Sequence, residues 1–236
     1  MERLDKIIAN RGIASRREVK ELVRQGRVLV DGVPPAAADR KVDPSTAVIT
    51  VDGVVVGRER YTYLLLHKPA GVLTATEDRR QPTVMDLLPE EYRRRGLAPV
   101  GRLDKDTEGL LLLTDDGPLT HRLLSPKYHV DKVYYARVDG TMEEADVSAF
   151  AEGLLLEDGL RCLPARLEPL GAGECLVTLR EGKFHQVKRM LASRGKPVRY
   201  LKRLAMGPLR LEDTLAAGSW RPLLPDELAA LRNACQ

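Results

Sequence analysis

The sequence predicts an α+β protein built in two parts, a small N-terminal helix–helix–strand unit and a larger region in which strands outnumber helices. Helical periodicity with a capping motif opens the chain. Further on, most apolar runs are short, rich in β-formers and bounded by turn residues, which is the pattern of strands. No glycine-rich phosphate loop follows any of them, so a P-loop or dinucleotide-binding fold has little support. A chain of 236 residues suffices for one or two domains with a proper core.

In the first part, Leu4, Ile7 and Ile8 recur at helical spacing and Gly12 stops the helix. Ser15-Arg16-Arg17-Glu18 has the form of a capping box, in which serine and glutamate each satisfy an orphan backbone amide. Val19, Leu22 and Val23 supply a buried face, and Gly26 ends this second helix. Residues 27–30 read as a strand turned at Asp31-Gly32, and residues 48–51 as a hairpin strand turned at Asp52-Gly53. Arg11, Arg16, Arg17, Lys20, Arg24 and Arg27 are left on the exposed side, where cations on a rigid scaffold suit backbone phosphates. Arg3-Leu4-Asp5, Ser15-Arg16-Arg17 and the segment 26–32 resemble the alpha-L RNA-binding module of a small-subunit ribosomal protein and of bacterial tyrosyl-tRNA synthetases. The expected division is residues 1–57 as this module, 58–62 as a linker and 63–236 as the second domain.

In the second part, residues 63–67 should form a strand stopped by Lys68-Pro69-Ala70-Gly71. Residues 84–88 read as a short helical turn before Pro89, and the leucine run 110–113 as a buried strand. Asp116-Gly117-Pro118 opens a helix that Ser125-Pro126 closes. Residues 132–138 alternate as a strand ending at Asp139-Gly140, and residues 175–179 form another. Phe184, Val187, Met190 and Leu191 make one face of a helix capped by Gly195.

Charged residues make up 31% of the chain and hydrophobic ones 43%, which fits a globular rather than a disordered protein. The net charge is only +4, but residues 183–210 hold nine Lys or Arg and no acid. Residues 1–27 hold eight basic residues against four acidic ones. Two basic islands fit a polyanion bound at two places, and two solvated helix faces give the same pattern. Three scattered cysteines without metal spacing point to a reducing compartment and away from a disulfide or zinc framework. No apolar stretch approaches the roughly 18 residues of a membrane span, and the first residues are charged rather than signal-like. A cytoplasmic protein is expected.

Asp104 lies between Arg102 and Lys105 in the loop before the leucine run. A carboxylate flanked by cations stays ionised easily and suits a nucleophile or an electrostatic stabiliser. A solvated, salt-bridged loop accounts for the segment's chemistry as well.

The block Gly101-Arg102-Leu103-Asp104-Lys105-Asp106-Thr107-Glu108-Gly109-Leu110 is followed by Lys132-Val133-Tyr134 and by Glu181-Gly182-Lys183-Phe184-His185-Gln186-Val187-Lys188-Arg189-Met190. With Lys68-Pro69-Ala70-Gly71 before them and the segment 201–209 after, they resemble the pseudouridine synthases, in motif order and over nearly the whole chain. Within that family they are similar to the ribosomal small-subunit branch, which carries the alpha-L module at its N-terminus. The resemblance implies a mixed or antiparallel sheet in the catalytic domain. It implies isomerisation of a uridine already in RNA, with no metal, nucleotide or redox cofactor.

The same resemblance implies Asp104 as the catalytic carboxylate and Lys188 as its cationic partner, since a buried carboxylate without one would protonate. It places Tyr134 against the target base, assisting a proton transfer, and Leu201 at the pocket wall. Arg102 would enter the space left by the flipped base, and Lys183, Arg189 and Arg203 would hold substrate and surrounding phosphates. Other readings stand beside these: Lys188 as a plain phosphate contact, Tyr134 and Leu201 as core, Arg102 as a structural ion pair. Asp106, Asp115 and Asp116 read as structural, and His67 stands where the family commonly has Asn. The segments 121–129 and 185–190 are similar to the 16S-directed enzyme, which implies small-subunit ribosomal RNA as partner of a monomer. Large-subunit RNA or tRNA as substrate, or a non-catalytic assembly factor, are the alternatives.

Overall fold

The computed structural model describes residues 1–44, 46–56 and 61–235, apart from the side chain of Pro126. Residues 58–60 of the expected 58–62 linker lie outside the described residues. The chain divides into two compact units, Met1–Thr62 with Leu88–Leu97, and Tyr63–Leu87 with Ala98–Gln236. The sequence division assigns 88–97 to the larger domain, whereas these residues cluster with the first unit.

The first unit runs β1 (Glu2–Arg3), α1 (Leu4–Asn10), α2 (Arg16–Arg24), β2 (Val28–Val30), β3 (Lys41–Val42), β4 (Ile49–Val51) and β5 (Val54–Val55), with the short α3 (Glu90–Arg93). The capping box forms: Ser15 Oγ accepts from the Glu18 amide at 3.3 Å, and the Glu18 carboxylate accepts from the Ser15 amide at 2.6 Å. Strands β2, β4 and β5 make an antiparallel sheet, and Asp31 and Asp52 take the positive φ that tight hairpins require. Leu4, Ile8, Val19 and Val28 are fully buried at its core. Gly12 marks where α3 packs, because a Cβ there would lie 2.6 Å from the Glu91 carbonyl.

The cations expected to line an exposed face divide into two groups. Arg16, Arg17, Lys20, Arg24 and Arg27 are exposed, with Arg16 bonded to Asp5, Arg24 to Glu21 and Arg27 to Asp52. Arg11 departs from the expectation: it is only 8% exposed. It closes α1 immediately before the crowded Gly12 turn, so its side chain is packed rather than presented to a phosphate.

The second unit contains β6 (Tyr63–Lys68), β7 (Ala98–Pro99), β8 (Glu108–Thr114), α4 (Gly117–Leu124), β9 (Lys132–Val138), α5 (Glu144–Glu152), β10 (Arg166–Gly171) and β11 (Glu174–Leu179). It continues through α6 (Gln186–Ser193), β12 (Val198–Met206), β13 (Leu209–Arg210), β14 (Trp220–Pro222) and α7 (Pro225–Asn233). Its described strands form one sheet in the order β10-β11-β9-β12-β8-β6-β14, with β13 on β12 and β7 on β8. All pairs are antiparallel except β12 with β8, so the sheet is mixed as the family resemblance implied. Leu64–Leu66 and Leu110–Leu113 are buried on both faces, which is why these strands read as unbroken apolar runs. Asp116 caps α4 by accepting from the Leu119 amide at 3.0 Å and also accepts from Tyr63 Oη at 2.7 Å.

The parallel β8–β12 contact fixes the site, and it depends on Gly109. That residue has φ +113, and a Cβ there would stand 2.2 Å from the Arg203 carbonyl oxygen on β12. Gly109→Ala therefore combines backbone strain with a clash against main chain. The expected loss is about 2–4 kcal/mol, read as a fall in Tm of several degrees or more. An unchanged melting temperature would show that the two strands need not approach so closely.

Candidate active site

The Asp104 loop is held from beneath by a buried lysine. Lys68 ends β6 with no exposed surface. Its Nζ donates to the carbonyls of Thr107 at 2.9 Å, Pro69 at 3.0 Å and Lys105 at 3.2 Å. The Gly71 amide donates to the same Lys105 carbonyl at 2.8 Å, so the Lys-Pro-Ala-Gly turn and the Asp104 loop share one network. Thr74 adds a clamp, its Oγ1 donating to the Leu103 carbonyl at 2.7 Å and accepting from the Leu103 amide at 3.2 Å. Burial pushes the Lys68 ammonium down to about 8, against the nearby charges of Asp106, Asp104 and Glu108.

The turn entering α6 brings the second half of the site. Glu181, 5% exposed, accepts from the Leu163 amide at 2.8 Å and from Gln186 Nε2 at 2.6 Å. This fixes the turn that carries His185, which has φ +48 and leads into α6. Lys188, in the first turn of α6, meets Asp104 Oδ2 at 2.9 Å and Asp106 Oδ1 at 2.6 Å. Burial disfavours the Lys188 charge, but hydrogen bonds to Asp106 and Asp104 outweigh it and hold the ammonium above its ordinary value. Asp106 is held below the usual carboxylate range, chiefly by its hydrogen bond from Lys188. His185 Nε2 lies 3.5 Å from Asp104 Oδ1, and Thr107 Oγ1 3.5 Å from Oδ2.

These groups open into a cleft of about 730 Å³ lined by Arg102, Asp104, Tyr134, Lys183, Phe184 and His185 among others. Leu201 joins Asp104 and Tyr134 in lining an overlapping pocket. Asp104, Tyr134, Lys188, Leu201 and Arg102 are therefore gathered in one place from β8's leading loop, β9, α6 and β12. Arg102 is exposed and, among the described residues, makes no hydrogen bond or ion pair. Tyr134 is 8% exposed and directly opposite Arg203 in the β9–β12 register.

Three basic residues differ from their expected exposure or freedom. Arg203 is 3% exposed, on the inward side of β12 with Leu201 and Ala205, and its Nε donates to the Leu110 carbonyl at 2.8 Å. It braces the β8–β12 contact from a buried position on the cleft wall, with Nη2 left without a partner among the described residues. Lys183 is tied to Glu181 at 3.0 Å and to the Arg161 carbonyl. Arg189 points to Asp158 at 2.5 Å and does not line the cleft.

Lys68, Glu181, His185 and Asp106 were not singled out as site residues from sequence. Lys68 opens the Lys-Pro-Ala-Gly turn, but its burial is a property of the sheet. Asp106 was set aside as structural and instead shares the cation of Asp104. Phe184 was placed on the buried face of the α6 helix; it precedes the helix and is 70% exposed. Among the described residues no group of three His, Cys, Asp or Glu is assembled to hold a metal, and no helix is long and apolar enough to cross a membrane.

The Lys68 displacement from 10.5 to about 8 sets a sign for stability. Below about pH 8 both states carry the proton, and the folded protein bears the full cost of a buried charge. Between about pH 8 and 10 the folded protein releases the proton first, so the unfolded state binds more protons and stability rises with pH. Lys68→Met lacks this contribution and leaves three carbonyls short of a donor at every pH. Denaturant unfolding near pH 7.5 and 9.5 should move the difference between wild type and K68M towards wild type by about 1–2 kcal/mol. A flat or shrinking difference would contradict the assignment.

Comparison with known proteins places the chain in a family. Residues 62–193 match the RNA pseudouridylate synthase family, and residues 2–48 match the S4 domain. An uncharacterized RNA pseudouridine synthase of Bacillus subtilis is 47% identical over 98% of both chains. The ribosomal small subunit pseudouridine synthase A of Pseudomonas aeruginosa is 39% identical over 97% of this chain and 100% of its own. The ribosomal large subunit pseudouridine synthase B of B. subtilis is also 39% identical, over 98% and 96%. A crystal structure of a pseudouridylate synthase matches with TM-score 0.69 and 34% identity over 98% of this chain and 100% of that one. With similarity running the length of both chains, an S4 domain at the N-terminus and the synthase domain after it, the chain belongs to the RNA pseudouridylate synthase family and is a pseudouridine synthase acting on RNA.

Proposed function

We propose that this enzyme converts one uridine of 16S ribosomal RNA to pseudouridine, as a cytoplasmic monomer, and that Asp104 is its catalytic carboxylate. The observation that carries the reading is the 2.9 Å Asp104–Lys188 pair in a cleft that Tyr134 and Leu201 also line. The reaction breaks the C1′–N1 bond, turns the base and joins C1′ to C5. C5 loses a proton and N1 gains one, so the product is an isomer and no electrons are exchanged.

Each residue has a part that its surroundings support. Asp104 acts at the ribose or the base, by addition or by taking a proton, and in every case Lys188 lies 2.9 Å away as its cationic partner. Tyr134 offers a ring that tolerates a rotating base, because stacking is insensitive to in-plane orientation, and a hydroxyl that can carry a proton. Extruding the base costs roughly a few kcal/mol, and Arg102, exposed and uncommitted, is free to fill the vacated space. Arg16, Arg17, Lys20, Arg24 and Arg27 add sequence-independent phosphate contacts from the S4 domain.

The small-subunit reading draws support from the P. aeruginosa relative and from the segments 121–129 and 185–190. The equally similar B. subtilis relative favours the large-subunit reading. Mapping pseudouridine in ribosomal RNA from cells lacking the gene separates the two: one 16S site should lose its modification and regain it with wild type. A missing large-subunit site with all 16S sites intact would overturn the substrate. Asp104→Asn should fail to restore the site and lose at least about 10³-fold in turnover while still binding RNA. Lys188→Arg should retain activity within about tenfold, whereas Lys188→Met should lose about 10²-fold or more. An active Asp104→Asn enzyme would remove the carboxylate from the mechanism.

A further inference from the structure

We propose that Phe184 is a stacking platform for an unpaired nucleobase next to the target uridine. This rests on the proposed RNA reaction and adds a positioning residue to it. Phe184 is 70% exposed although it is one of only two phenylalanines in the chain. Its ring lies flat on the His185 imidazole, with centroids 3.8 Å apart and planes 19° from parallel. One face of the phenyl is thus covered, and its exposure comes from the other face and the edge. An aromatic face left open to water gains nothing for folding.

The second observation is the backbone. His185 sits at φ +48, a conformation that costs a residue other than glycine free energy. That turn sets the imidazole both against Phe184 and 3.5 Å from Asp104 Oδ1. The stacked pair therefore reaches from the rim of the cleft to the carboxylate. Arg102, Lys105 and Lys183 line the same cleft as the open ring, alongside apolar residues such as Leu73, Leu103 and Leu124. An open π-face in a cleft that also offers cations suits a base on a phosphate backbone, which uses both, better than an apolar protein side chain, which uses only the ring. Once the target uridine leaves its stack, a neighbouring base loses a stacking partner, and Phe184 supplies another.

The test is a double-mutant cycle on an RNA hairpin carrying the uridine found by mapping. Binding and single-turnover kinetics are measured for wild type and Phe184→Ala. Each is measured with the intact hairpin and with an abasic site at either neighbour of the uridine. Phe184→Ala should weaken binding and raise KM roughly tenfold, leave kcat within about twofold, and leave Tm unchanged, while Phe184→Trp restores affinity. At one neighbour the abasic substitution should cost wild type about the same factor and cost Phe184→Ala nothing further. Additive losses at both neighbours would overturn the proposal. So would unchanged binding of the hairpin together with reduced modification inside a ribosomal particle, which would assign the ring to a protein contact. Coupling seen in binding, with no pseudouridine formed by wild type, would instead sink the reaction reading and leave the platform standing.

Discussion

A lysine ammonium with no exposed surface sits among three backbone carbonyls, and the position of the Asp104 loop follows from where that ammonium must be. Burying a lysine charge costs several kcal/mol, and only well-placed acceptors offset it. Those acceptors belong to Pro69, Lys105 and Thr107, so the loop cannot drift without stranding the charge. Gly109 then brings β8 against the β12 main chain, where a side chain would collide. The loop is fixed below by Lys68 and at its downstream end by a sheet contact. Asp104 is presented from the segment between them.

Lys188 is the site's one shared cation, and its two carboxylates are not equivalent. The Asp106 side chain is 77% exposed and that of Asp104 only 23%. The Asp106 contact is the shorter and its hydrogen bond does more to hold Lys188 charged, although solvent screens that pair more strongly. Asp106 still has a role: a second carboxylate helps keep Lys188 charged against burial. An ammonium that stays charged remains paired with Asp104 at 2.9 Å. The arrangement places a solvated acid beside the cation and a half-enclosed one in the cleft.

The sequence carried the local features well and the long-range ones poorly. The capping box of α2, the Asp-Gly hairpins and the leucine strands are set by neighbouring residues, and each is where its pattern placed it. Strand β12 is hidden by its charges, since Arg199, Lys202 and Arg203 read as part of a basic island suited to phosphates or as a solvated helix face. Its Leu201, Arg203, Ala205 alternation was a usable signal of one inward face. What no local pattern shows is that an arginine can take an inward position by donating to a carbonyl on the adjacent strand. Helices α5 and α7 carry no clear period, since Phe150 and Leu231 are the only apolar residues they bury. At the site, motif order pointed to Asp104, Tyr134 and Lys188, which the fold brings together, whereas Lys68 and Glu181 act through burial that only the assembled sheet creates.

The departures from ordinary folding rules are not scattered through this region. A positive φ at His185, an exposed phenylalanine beside it and a buried lysine under the loop all adjoin Asp104. Each lowers the stability that the same backbone could reach with a simpler residue, and each is held in place by neighbours that have no such cost. Glu181 ties down the strained turn with bonds to Leu163 and Gln186, and the Lys68 carbonyls do the same for the loop. Strain that is over-determined by its surroundings persists, and its clustering at one cleft is the expected mark of a working site. The exposed Phe184 ring fits that account better than a packing account, because no neighbour encloses its outer face.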